Sequence, residues 1–179
     1  MFVEPRRCRS LIKFTRHESN PAQPMPTPPA HKMTIRWTKE KYLITTDAAA
    51  VDIDVVHRYL SIESYWAKGI PRETVARAVQ HSLCFSLLHE GTLIGFARVT
   101  SDRATVAYVG DVFVLPPHRG KGLAKWLMEC VTSHPELQGL RRWMLATADA
   151  HGLYVQFGFT PMKAPDRWME RHDPDVYQR

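Results

Sequence analysis

A strand that ends at two prolines, followed by two glycines and a helix, constrains the fold of this 179-residue chain more than any other feature. Residues 107–115 have the composition of a long buried strand, which ends at Pro116. Gly120 and Gly122 come next, and residues 122–133 place apolar side chains at helical spacing. This order predicts a helix that packs back onto a sheet and begins next to the end of the strand.

The chain around this segment supplies further strands and helices. Strands are predicted at residues 42–45, 83–88, 93–100, 143–146 and 160–162, with an edge strand at 167–169. Helices are predicted at 52–59, from Pro71 onward and at 152–157, where Gly158 follows as the C-terminal cap. Together these elements predict an α+β fold, a single-domain, mixed but mostly antiparallel central sheet flanked by helices.

The first 32 residues differ in composition from the rest. Five prolines fall between residues 21 and 29, and a segment of that kind holds neither a helix nor a central strand. We therefore expect a disordered Arg- and Pro-rich extension at 1–32 and a folded domain at 33–179. An Arg-rich, acid-poor segment is also typical of transit peptides, but we favour Met33 as the start of the functional chain.

Charge, hydropathy and cysteine usage argue against several classes of protein. Of the net charge of +6, residues 1–32 carry +4 (six basic and two acidic residues), so residues 33–179 are nearly balanced and nucleic-acid binding is not expected. No apolar run approaches the roughly 20 residues that a membrane helix needs. Cys8, Cys84 and Cys130 have no metal-ligand spacing, and we expect free thiols in a cytoplasmic protein.

The glycine turn has the chemistry of a phosphate site. Backbone N–H groups in the first turn of a helix have no partner within the helix, and the helix dipole adds positive potential there. Arg119 and Lys121 add two full charges. A phosphate or diphosphate fits this environment, and a basic turn without a ligand is the alternative. The glycine spacing matches neither a P-loop nor the dinucleotide-binding fingerprint.

Two motifs give the chain a family resemblance. Arg119-x-x-Gly122-x-Ala124, after the strand residues 112–114, resembles the acyl-CoA motif of the GNAT superfamily of N-acetyltransferases. Residues 150–159, which read Ala-x-x-Leu-Tyr-x-x-Phe-Gly-Phe, are similar to a second signature of that family. The resemblance implies a GNAT-like acyl-CoA N-acyltransferase fold and acetyl-CoA as co-substrate, without a metal. It also implies transfer of the acetyl group to a primary amine of a small molecule or peptide.

The resemblance assigns residues to the co-substrate. Tyr154 would lie near the CoA sulfur and protonate the departing thiolate, with packing against the sheet as its alternative role. Thr147 stands where the family often has Asn, and its hydroxyl is the expected contact. The remaining assigned residues run along the pantetheine arm and around the pyrophosphate: Val112, Phe113 and Val114, then Arg119, Gly120, Lys121, Gly122, Leu123 and Ala124.

Three residues are candidates for the acceptor side of the site. Asp111 is predicted to point opposite to Val112 and Val114, because side chains alternate along a strand. There it either receives the proton of the amine or pairs with a neighbouring Arg or backbone N–H. Tyr65 and Trp66, between the first two helices, either line the acceptor site or pin their loop to the core.

Two other functions remain alternatives. A non-catalytic acyl-CoA-binding sensor would use the same turn without turnover. A nucleic-acid-binding protein would depend on the basic segment 1–32. For the enzyme we expect a monomer or homodimer, with neither a membrane nor a nucleic acid as its partner.

Overall fold

The computed structural model describes residues 33–178, so the extension predicted at 1–32 lies outside the described residues. Four α-helices occur in this part of the chain: α1 (Ile53–Arg58), α2 (Arg72–Gln80), α3 (Leu123–Thr132) and α4 (His151–Tyr154). The strands are β1 (Arg36–Lys39), β2 (Tyr42–Thr45), β3 (Leu83–His89), β4 (Thr92–Ser101), β5 (Val106–Val114) and β6 (Arg142–Met144). A π-helical turn at Tyr59–Glu63 continues α1.

All six strands belong to one sheet, in which they lie in chain order. Neighbouring strands from β1 to β5 are antiparallel, whereas β5 and β6 are parallel. A parallel pair needs a crossover connection, and α3 lies in the connection between β5 and β6. The predicted α+β fold, a single mostly antiparallel sheet flanked by helices, is confirmed.

Helices cover both faces of the sheet. On one face, α3 buries Leu127 and Met128 completely in a cluster with side chains of β3, β4 and β5. On the other face, Val56 of α1 and Val75 of α2 pack in a second cluster that includes Phe113. The sheet is therefore a buried middle layer, and its ends and gaps are the places where a ligand can reach the backbone.

A β-bulge interrupts β5. The pairing register with β4 shifts between Phe96 and Arg98, where Asp111 and Val112 together face one residue of β4. Asp111 has a φ of 54°, a left-handed conformation that is uncommon for a residue other than glycine. The bulge bends β5 just before its last residues, and a sequence pattern does not reveal it.

The C-terminal segment differs from the sequence prediction. The strands predicted at 160–162 and 167–169 are both wrong, since neither is a strand and Pro165–Arg167 forms a 3₁₀ turn. Pro161 and Pro165 lack the N–H that a sheet ladder requires, which accounts for the irregular backbone. The pattern also misses β1, because its four residues are mostly exposed and polar. None of the helices within residues 33–178 is long and apolar enough to span a bilayer.

Candidate active site

Strands β5 and β6 separate part-way along the sheet. Their pairing begins at Val106 and Arg142 and ends at Tyr108 and Met144. Past this point β5 continues to Val114, while the chain after β6 leads away toward α4. A cleft results, in which one edge of β5 has no neighbouring strand.

The free edge of β5 presents the backbone of Val114. Leu115 donates its N–H to the carbonyl of Ile94 at 2.8 Å, and Val114 lies opposite Gly95. Backbone groups alternate in direction along an antiparallel strand, so the N–H and carbonyl of Val114 point away from β4. The carbonyl accepts a hydrogen bond from Nε of Arg119 at 2.9 Å. The N–H is left to donate toward the cleft.

A turn with unpaired amides follows the end of β5. Gly120 and Gly122 adopt φ values of 75° and 72°, and a Cβ added at either position would meet only open space. The backbone N–H groups of residues 120–125 make no hydrogen bond within the described part of the chain. With the exposed Lys121 and the first turn of α3, they form an environment that fits a diphosphate.

Arg119 ties this turn to the core. Besides its bond to Val114, the guanidinium donates to the hydroxyl of Tyr59 at 3.2 Å. Tyr59 in turn stacks on Phe113, with 3.9 Å between ring centroids. The side chain of Phe113 is thus part of the core, and its backbone groups point toward Phe96 of β4. The contact of Phe113 with the co-substrate stays a prediction. The contact of Arg119 with the co-substrate stays a prediction.

Tyr154, the last residue of α4, lines the cavity beside the cleft. The residue is 9% exposed, and its hydroxyl makes no hydrogen bond to any described residue. Burial raises the pKa of Tyr154 to about 12, with smaller contributions from Tyr65 and Asp149. The hydroxyl therefore keeps its proton at neutral pH, as a proton donor must.

Thr147 has a structural role next to Tyr154. Its Oγ1 accepts the backbone N–H of Ala150 at 3.0 Å, at the start of α4. The hydroxyl proton remains free to be donated to a ligand. The predicted contact between Thr147 and the co-substrate is therefore compatible with the hydrogen bond at Ala150.

A cavity of 310 Å³ opens beside the cleft. Tyr65 and Trp66 form part of its wall and meet edge to face, with 5.0 Å between ring centroids. The hydroxyl of Tyr65 accepts the backbone N–H of Ala148 at 2.8 Å, which connects the loop after α1 to the loop before α4. The predicted site residues that share this cavity are Tyr65, Trp66, Asp111, Val112, Thr147 and Tyr154.

Asp111 is held by two neighbours. One carboxylate oxygen accepts from Nε of Arg98 at 2.5 Å, and the other accepts from Nε1 of Trp66 at 3.3 Å. Only 13% of the Asp111 side chain and 22% of the Arg98 side chain are exposed. Pairing with a neighbouring Arg, one of the two roles considered for Asp111, is thus present in the structure. Trp66 lines the cavity and is also anchored by this carboxylate.

Replacing Arg98 by methionine should lower the free energy of unfolding by roughly 2–3 kcal/mol, because the largely buried carboxylate of Asp111 loses its counter-charge. Lys41→Met is the matched control, since it breaks an ion pair with Glu90 whose side chains are 72% and 59% exposed. That exposed pair is worth at most about 1 kcal/mol. Urea unfolding measures both variants, and equal losses would contradict a structural role for Arg98.

Sequence reasoning misses several residues that line the cavity, among them Tyr108 and Asp149. Tyr108 lies on β5 where its pairing with β6 ends, and the residue is 42% exposed. Asp149 directly precedes the second motif, but no spacing rule distinguishes it from other loop carboxylates. Within residues 33–178, no group of three or more His, Cys, Asp and Glu residues is placed to hold a metal ion.

Two strands that separate next to a glycine-containing turn are typical of one class of protein. The fold of this chain is the acyl-CoA N-acyltransferase fold. Comparisons with known proteins agree. The model of the acetyltransferase (GNAT) family matches residues 53–159. The chain is 31% identical over 140 residues to FG08082 of Gibberella zeae, a protein named as an acetyltransferase, and the match covers 66% of this chain and 78% of that protein.

Solved structures show the same relationship. A GNAT-family protein from Xanthomonas campestris is 54% identical, with a TM-score of 0.76 over 77% of this chain and 97% of that one. A protein from Clostridium acetobutylicum, solved with acetyl-CoA, shares the fold at 16% identity, with a TM-score of 0.54 over 73% of this chain and 94% of that one. The chain belongs to the acetyltransferase (GNAT) family and is an acyltransferase.

Proposed function

We propose that this enzyme transfers the acetyl group of acetyl-CoA directly to a primary amine of a small molecule or peptide, with both substrates bound together. The observation that carries the proposal is the cleft between β5 and β6, which has unpaired amides at the glycine turn and the cavity with Tyr154 beside it. In this arrangement the diphosphate binds at residues 119–124. The pantetheine arm lies along the free edge of β5, and the thioester reaches the cavity.

The transfer requires an uncharged amine. A lysine-like amine has a pKa near 10.4, so its deprotonation costs about 4 kcal/mol at pH 7. The amine nitrogen then attacks the thioester carbonyl carbon, the new C–N bond forms and the C–S bond breaks. The products are an amide and the thiol of CoA, and the proton of the ammonium ion leaves to solvent.

Three groups of this chain are proposed to lower the barrier. The N–H of Val114 points toward the cleft and donates to the carbonyl oxygen as negative charge develops there. Tyr154, which keeps its proton, donates it to the departing thiolate and regains one from the attacking nitrogen, which loses its second proton as the amide forms. Asp111, paired with Arg98, holds Trp66 in the acceptor wall. We propose the cytoplasm as the location, which is compatible with the free thiol of Cys130.

Two measurements test the proposed function. Acetyl-CoA at 100 times its Kd should stabilise the protein by about 2.7 kcal/mol in a thermal unfolding experiment. A panel of primary amines should then release free CoA, detected with a thiol reagent. Stabilisation without thiol release from any amine would favour a non-catalytic sensor, and the absence of both would contradict the proposal.

A further inference from the structure

Three charged side chains line the 310 Å³ cavity: those of Arg98, Asp111 and Asp149. Arg98 and Asp111 neutralise each other in a pair that leaves little of either side chain exposed. Asp149 is exposed and makes no hydrogen bond or ion pair within the described residues. The cavity therefore offers an incoming ligand one available negative charge and no available positive charge.

Asp149 stands at the reacting end of the cavity. It lies in the short loop between Thr147, which lines the same cavity, and the first turn of α4. Its charge is close enough to raise the pKa of the buried Tyr154, in addition to the larger effect of burial. An ammonium group beside Asp149 would thus lie near the hydroxyl proposed to protonate the CoA thiolate.

The walls of the cavity are aromatic. Tyr65 and Trp66 stand on one side, and Tyr108 contributes a third ring from β5. The deeper lining is apolar and includes Val56 and Leu60, both essentially buried. Flat rings around an apolar interior favour a flat apolar ligand, and they also attract a cation. A volume of 310 Å³ is at the small end of ligand sites, which favours a compact acceptor.

On the basis of the proposed acetyl transfer, we propose that the acceptor is a small aromatic monoamine without a carboxylate, and that Asp149 binds its ammonium group. The aromatic ring lies between Tyr65, Trp66 and Tyr108. A carboxylate on the acceptor would face Asp149 and Asp111 without a free cation to balance it, so amino acids are disfavoured. The ammonium ion loses a proton to solvent before the amine attacks.

The test compares matched amines in steady-state kinetics at saturating acetyl-CoA. 2-Phenylethylamine should have a kcat/KM at least about tenfold above that of phenylalanine, which differs by one carboxylate. It should also exceed butylamine, which lacks the ring. Asp149→Asn should raise the KM for 2-phenylethylamine roughly tenfold, since a charge-assisted contact is lost, and should leave the KM for acetyl-CoA unchanged.

Asp166→Asn is the matched control, because Asp166 is exposed and lines neither this cavity nor the neighbouring one at β6. It removes the same charge and should leave the KM for 2-phenylethylamine unchanged. The assignment would be overturned if phenylalanine or butylamine had the same kcat/KM as 2-phenylethylamine, or if Asp149→Asn left the KM for 2-phenylethylamine unchanged. In either case the proposed acetyl transfer would still stand. Absence of turnover with every amine would overturn both.

Discussion

Replacing Gly122 by valine should weaken the binding of acetyl-CoA at least about a hundredfold. Gly122 precedes α3 with a φ of 72°, a conformation that a β-branched residue adopts only with strain. The turn would relax away from this geometry, and the amides of residues 120–125 would no longer converge on one diphosphate. Loss of two charge-assisted hydrogen bonds, each worth about 1.5–3 kcal/mol, is sufficient for an effect of this size. Titration calorimetry with acetyl-CoA measures it.

Gly139→Val provides the control for backbone strain. Gly139 has a φ of 73°, and a Cβ there would also meet open space, but it lies in the connection between α3 and β6. Both variants should lose a similar free energy of unfolding, about 1–2 kcal/mol. Only Gly122→Val should lose affinity for acetyl-CoA. Equal affinities in the two variants would show that the turn does not bind the diphosphate.

Replacing Tyr154 by phenylalanine should lower kcat by about 10²- to 10³-fold with little change in either KM, because general acid catalysis contributes on this scale. The hydroxyl makes no hydrogen bond within the described residues, so its removal should leave the fold intact. Burial raises the pKa of Tyr154 to about 12, and a raised pKa means that the hydroxyl stays protonated. The wild-type kcat should therefore show no loss from ionisation of Tyr154 between pH 7 and pH 10.

Tyr42→Phe is a suitable comparison for Tyr154→Phe. Tyr42 lies on β2, where its ring packs on His89 at 4.8 Å between centroids, and it does not line the cavity. Stopped-flow or steady-state measurement of CoA thiol release gives kcat for both variants. A Tyr154→Phe enzyme with full kcat would remove Tyr154 from the mechanism and leave it as a packing residue.

Local sequence signals predict the central part of this fold. The strand before Pro116, the glycines of the turn and the helical spacing that follows are all encoded within about 25 neighbouring residues, and each has a direct conformational cause. Gly158 likewise ends the helical segment with a φ of 81°, as predicted. These are the elements in which local preference and tertiary structure agree.

Features that depend on distant pairing are not predictable in this way. The bulge at Asp111 arises from the register between β4 and β5, and the short β1 exists because β2 offers an edge to pair with. The sequence suggests the pairing of Asp111 with an Arg only as one of two roles and does not identify Arg98 as the partner, because Arg98 lies 13 positions earlier in the chain. No sequence motif marks Asp149, because its proposed role depends on the cavity that it lines in the folded protein.

The separation of β5 from β6 has a consequence for engineering this protein. A substitution that extended the pairing of β5 with the chain after β6, beyond Tyr108 and Met144, would add ladder hydrogen bonds and close the cleft. We expect such a variant to gain thermal stability and to lose the gap that is proposed to receive the thioester. Selection for heat resistance alone would then select against the proposed activity. The proposed chemistry requires that β5 and β6 stay unpaired beyond Tyr108 and Met144.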